Sequence, residues 1–148
     1  MGHHLEMNKH KSQSQSQWAK KILSANTIFL DTETTGLGST DEIIEIAIIN
    51  SKGIPLVNEL IRPNQSSQAI HGITNKLVAK APKWPEVHNK VAYYLQSADY
   101  IVVYNAEFDW RLLEQTVNQY NCPTLVPYRN KLHCAMTQFS EYYGEWDS

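Results

Sequence analysis

Asp31 and Glu33 stand two residues apart in the run Ile28-Phe29-Leu30-Asp31-Thr32-Glu33-Thr34. On an extended strand, residues i and i+2 point to the same face, so both carboxylates leave the backbone on one side. One explanation for two acids there is a solvated strand end, since acids are rarely buried unpaired. The other is a site for a hard divalent cation such as Mg²⁺ or Mn²⁺, which prefers carboxylate oxygens. Asp109 adds a third acid, in the first turn of a helix expected to leave the strand Tyr100-Ile101-Val102-Val103-Tyr104. Alone it would be a residue favoured by the helix dipole by ~0.3–1 kcal/mol. If the first and fourth strands run parallel, Asp109 reaches the sheet edge where Asp31 and Glu33 end their strand. Three converging acids strengthen the reading as a divalent-metal site.

The elements that must position these residues are readable in outline. The first strand starts at Thr27, is rich in β-formers and ends at Gly36. A Gly/Ser/Thr/Asp loop leads to Ile43–Ile49, a central buried strand, and Asn50-Ser51-Lys52-Gly53 is a turn. Ile54 to Arg62 returns as a third strand, stopped by Pro63. Two short connections in a row predict an antiparallel meander. Thr74 or Asn75 can cap a short helix through Lys80, and Pro82 and Pro85 punctuate the next segment. Val87, Val91, Tyr94 and Leu95 lie on one face of an amphipathic helix. Asn105 is a good N-cap for the next helix, whose face carries Trp110, Leu113, Val117 and Tyr120. A short strand near Leu132 and a helix from about Ala135 to Tyr143 complete the pattern. The expected fold class is α/β, with a mixed sheet flanked by helices.

With 148 residues, 42% apolar and 19% charged, the chain suits one globular domain rather than a disordered segment. Met1 to Glu6 reads as a shortened tag and cloning scar with the natural start at Met7, and Lys11–Gln17 as a flexible polar run. Residues 1–17 are therefore set apart as a leader, and 18–148 as the domain. Trp18 to Ser24 is expected to form a short helix packed on it. No apolar run approaches the ~20 residues that span a bilayer. Two cysteines and no export signal argue against a disulfide framework and for a cytoplasmic protein. A net charge of −2 argues against a protein that grips nucleic acid mainly through a broad basic surface. It leaves room for an enzyme that reaches phosphate through metal ions.

Phe29-Leu30-Asp31-Thr32-Glu33-Thr34-Thr35-Gly36-Leu37 resembles the first motif of the DnaQ-like (DEDD) 3′–5′ exonucleases, with the DEDDh branch the expected one. Ile70-His71-Gly72-Ile73-Thr74 resembles the family's His-Gly-Ile-Thr segment, and Tyr104-Asn105-Ala106-Glu107-Phe108-Asp109 its second motif. The resemblance covers roughly residues 27 to 125 and implies a ribonuclease H-like fold. It implies two-metal phosphodiester hydrolysis with two Mg²⁺ or Mn²⁺ ions. Asp31 would bridge both ions, Glu33 would serve the water-activating one, and Asp109 the second. Thr34, Thr35, Gly36 and Leu37 would meet the 3′-terminal nucleotide, with backbone amides toward it and Leu37 against a base. Asn105 would cap its helix, and Phe108 would pack beside the base, although helical spacing favours the core for that ring. The resemblance puts His71 by the substrate; a loop histidine ordering the Gly72 turn is the other reading. Glu45 either points toward the site or occupies a wetter strand face.

The family's third motif, His-x-x-x-x-Asp or Tyr-x-x-x-Asp, supplies a base and the last metal ligand. His133-Cys134-Ala135-Met136-Thr137-Gln138 imitates it, but the amide is a poor metal ligand and the segment comes too soon after Asp109. His133 is therefore not expected to be the base. Glu141, Glu145 and Asp147 read as a solvated helix end. The chain is expected to be a piece of a longer enzyme, itself weak or inactive, with its oligomeric state open. The expected substrate is the 3′ end of single-stranded DNA or RNA, cut to nucleoside monophosphates. A polymerase or other replication or repair protein is a candidate partner. The alternatives are an RNA-trimming relative and a non-catalytic nucleic-acid-binding module.

Overall fold

The computed structural model describes residues 14–64 and 75–138. A helix over residues 14–24 (α1) precedes the sheet. Then come β1 (Thr27–Thr34), β2 (Ile43–Asn50), β3 (Pro55–Leu60), α2 (Asn75–Val78), α3 (Trp84–Ser97), β4 (Tyr100–Val103), α4 (Ala106–Gln119) and β5 (Leu132–Cys134). A 3₁₀ turn over Val126–Lys131 feeds β5, and residues 135–138 are helical.

The five strands lie in the order β3-β2-β1-β4-β5. The β1–β2 and β2–β3 pairs are antiparallel, while β1–β4 and β4–β5 are parallel, so the expected meander and mixed sheet are both present. Parallel pairing of β1 with β4 requires a crossover, and α3 provides it. Strand alternation sends Ile28, Leu30, Ile46, Ile48, Ile101 and Val103 to one face. There they join Val91 and Leu95 of α3 and Leu113 and Val117 of α4 in one buried cluster. The opposite face carries Asp31 and Glu33. At its β4–β5 end α1 covers it, through Trp18 against His133 and Lys21 over the Tyr100 ring.

Several expected boundaries shift. The helix expected from Val87 begins at Trp84, because Pro85 fits its first turn and the Glu86 side chain accepts from Lys83 N at 2.8 Å. α1 is already helical at residue 14, the first described residue, inside the polar run assigned to the leader; Gln15, Trp18, Ala19 and Ile22 share its inner face, so packing supports helix there. The strands expected to reach Gly36 and Arg62 end at Thr34 and Leu60, where loop hydrogen bonding takes over. His71, Glu141, Glu145 and Asp147 lie outside the described residues.

Candidate active site

The end of β1 is where the sheet becomes irregular. Glu33 pairs directly with Glu45 on β2, but Thr34 pairs with Ile43, leaving Ile44 as the extra residue of a bulge. Bulges re-aim side chains and end pairing, and they cluster beside functional sites. Glu33 and Glu45 thus face each other as like charges on one side of the sheet, an arrangement that destabilises an antiparallel pair unless a cation offsets it. Glu45 is therefore on the acid face, and Asp31 is exposed on the same side.

Asp109 reaches this point from the other side of the strand. Asn105 caps α4 by accepting from Phe108 N at 3.5 Å, and Asp109 N donates to the Asn105 carbonyl at 3.1 Å. The Asp109 side chain is 7% exposed, and its carboxylate accepts from the Thr32 hydroxyl at 2.5 Å. Thr32 alternates with Asp31 and Glu33, so Asp109 approaches along the helical face while the other two acids leave from the opposite one. Burial holds the Asp109 carboxyl above the ordinary carboxylate range; the Thr32 bond opposes this, and the charges of Asp31 and Glu33 reinforce it. Asp109 therefore feels the charges of Asp31 and Glu33 across the end of β1.

Among the described residues, no three His, Cys, Asp or Glu side chains close into a cage around one ion. The donor set still fits hard divalent ions. It consists of carboxylates only, it concentrates like charge at Glu33–Glu45, and it keeps one buried acid that gains from a nearby cation. It does not enclose an ion unaided.

The loop after β1 is built differently from the sequence expectation. Thr34 Oγ1 donates to the Gly36 carbonyl at 2.8 Å. The amide contact expected of Thr35 is already taken, since its N–H donates to the Glu42 carbonyl at 2.9 Å. Its hydroxyl donates to Asp41 Oδ1 at 2.8 Å and accepts from Glu42 N at 3.0 Å. Thr34 and Thr35 thus shape the loop. Gly36 is required by close approach: a Cβ there would lie 2.7–2.9 Å from the Asp41 carboxylate atoms. Leu37 projects from the loop at 76% exposure. Phe108 is half-buried against the core, with the Arg111 guanidinium 5.6 Å from its ring centre. His133 accepts from Trp18 Nε1 at 3.3 Å and packs on Tyr100, a structural role away from the acids.

Two parts of the site had no sequence expectation. Glu42 is 1% exposed and accepts from the Tyr120 hydroxyl and from Asn64 N at 3.0 Å. The second part is a polar stripe on α4, Arg111, Gln115 and Gln119. Its spacing of four was visible in the sequence, but its partners were not.

Comparison with known proteins places this geometry. The exonuclease family model RNase_T matches residues 28–148. The chain is 42% identical over 137 residues to the uncharacterized exonuclease CP81 of Escherichia phage 186, covering 88% of this chain and 70% of that protein. It is 34% identical over 98 residues to exodeoxyribonuclease 10 of Escherichia coli K12, covering 63% of this chain and 43% of that one. Among solved structures, the nuclease domain of 3′hExo, a DEDDh family member bound to rAMP, superposes with a TM-score of 0.64 at 17% identity. That match covers 81% of this chain and 71% of that one. Product-bound exonuclease I gives 0.68 at 17% identity, covering 80% and 32%. The likeness to the solved structures is one of fold, and it identifies the mixed sheet as ribonuclease H-like. With the family model spanning nearly all of the domain and a relative 42% identical over most of both chains, the chain belongs to the DnaQ-like 3′–5′ exonuclease family.

Proposed function

We propose that the protein hydrolyses the terminal phosphodiester bond at the 3′ end of single-stranded DNA, releasing nucleoside monophosphates with the help of divalent metal ions. Asp31, Glu33 and Asp109 would hold the ions, and Mg²⁺ or Mn²⁺ would supply an activated water and offset charge on the phosphate. The observation that carries the reading is the buried Asp109 carboxylate, held by the hydroxyl of Thr32, the strand residue between Asp31 and Glu33, at the bulged end of β1. A module that only bound nucleic acid would gain nothing from acids that repel phosphate. Leu37, exposed on the loop after β1, and Phe108, next to Asp109 in α4, are the apolar groups a terminal base would meet in this reading. In this reading Gly36 lets the chain turn toward it, and Asn105 holds the turn of α4 that presents Asp109. A polymerase or other replication protein is the partner we would look for.

The test is release of mononucleotides from 3′-labelled single-stranded DNA and RNA in Mg²⁺ or Mn²⁺. This chain, its full reading frame and Asp31→Ala are compared. We expect the full frame to trim DNA and Asp31→Ala to lose activity. No mononucleotides from the full frame, or an unchanged rate in Asp31→Ala, overturns the proposal. Faster release from RNA reassigns the substrate.

A further inference from the structure

Arg111, Gln115 and Gln119 are spaced by four along α4 and therefore form one stripe. That stripe faces the loop after β1, and its donors meet four carbonyls there. Arg111 Nη2 donates to Leu37 O at 3.0 Å. Gln115 Nε2 donates to Gly38 O at 2.9 Å and to Asp41 O at 2.7 Å. Gln119 Nε2 donates to Thr40 O at 2.9 Å. From inside, the loop is braced by Asp41, which accepts from Gly38 N at 2.7 Å and from Thr35. A stretch with two glycines and no apolar anchor of its own is thus strapped to the same helix that presents Asp109 and Phe108. Leu37 points outward, so it contributes little to holding the loop down. Arg111 links the two groups, with its guanidinium over Phe108 and on the Leu37 carbonyl.

We propose that Arg111, Gln115 and Gln119 are positioning residues for the 3′-terminal nucleotide. They hold the loop so that Leu37 stands in fixed relation to Phe108 and the acids before substrate arrives. Preorganisation of this kind lowers the ordering cost of binding, and a clamp on the binding loop rather than on the acids is expected to act mainly there. The inference rests on the exonuclease reading above.

The discriminating variants are Gln115→Glu, which keeps the shape but turns acceptors onto Gly38 O and Asp41 O, and Gln115→Lys, which keeps donors. In the full reading frame acting on single-stranded DNA, Gln115→Glu should raise KM about tenfold with kcat within about twofold, and Gln115→Lys should restore KM. Amide hydrogen exchange on the chain itself should quicken at residues 37–41 in Gln115→Glu and stay slow in Gln115→Lys. Thermal melting alongside separates this from general unfolding. An unchanged KM in Gln115→Glu, a fall in kcat alone, or equal effects from Glu and Lys overturns the clamp while leaving the enzyme reading intact. A wild-type frame that releases no mononucleotides overturns both.

Discussion

Replacing Asp109 by Asn keeps an oxygen to accept from Thr32 while removing the charge that burial, Asp31 and Glu33 all oppose. In EDTA, Asp109→Asn should therefore melt higher than the parent, by roughly 2–4 °C. In MnCl₂ the order should reverse, because a cation that binds only the folded state stabilises in proportion to its affinity, and the variant has lost a ligand. A lower melting point in EDTA, or a full Mn²⁺ shift in the variant, would show that Asp109 is a structural acid. Gly36 carries a second prediction of the same grain. Its missing Cβ leaves room for the Asp41 carboxylate, which Thr35 and Gly38 hold in place. Gly36→Ala should cost about 1–3 kcal/mol, as the clash forces Asp41 off its donors. In an Asp41→Ala background that cost should largely vanish, as urea melts of the four proteins would show; an undiminished cost would place the strain in the backbone instead.

At the scale of elements, α3 holds a titratable group inside the fold. Trp84 Nε1 donates to His88 Nδ1 at 3.1 Å, one turn along the helix, and His88 is 2% exposed. Burial pushes the His88 pKa below 6.5, with the Pro123 carbonyl opposing. His133 is lowered too, by burial and then by Lys21. A histidine depressed in the folded state binds fewer protons there than in the unfolded chain, so its contribution is fully present above about pH 6.5 and is lost as pH falls through the folded value. Urea midpoints should be flat from pH 8 to 7 and decline below about 6.5, with His88→Gln removing part of the decline. A variant with the parent's full slope would assign the loss elsewhere. The strands were legible because β-branched runs and turn residues mark them, and α4 because Asn105 caps it. The start of α3 was hidden, since Pro85 looks like a helix stop until it is seen inside the first turn. The contacts of Arg111, Gln115 and Gln119 were not legible, because their partners are carbonyls of a loop more than seventy residues earlier, and a carbonyl carries no side-chain signature. Glu42 was hidden for a related reason: an acid at the end of a polar loop gives no hint that Tyr120 will bury it.

For the whole molecule, charge decides how a polyanionic substrate can be held. The chain has 13 Lys and Arg against 15 Asp and Glu, and its candidate site is an acidic face. The single-stranded DNA proposed above as substrate would meet repulsion there from Asp31, Glu33 and Glu45 unless divalent ions intervened. Affinity should thus depend on metal more steeply than on monovalent salt. A protein that neutralises Z phosphates of a single strand shows a slope of about −0.7Z in log K against log salt, so two or three contacts give a slope no steeper than about −2. Fluorescence anisotropy of a 3′-labelled oligonucleotide, titrated with the protein at fixed Ca²⁺ and rising NaCl, would measure it. Loss of binding in EDTA with a shallow slope in Ca²⁺ supports recognition through ions at the acid face and contacts to the terminal nucleotide. A slope of about −4 or steeper, or binding undiminished by EDTA, would instead require an extended cationic track, which the charge balance of this chain argues against.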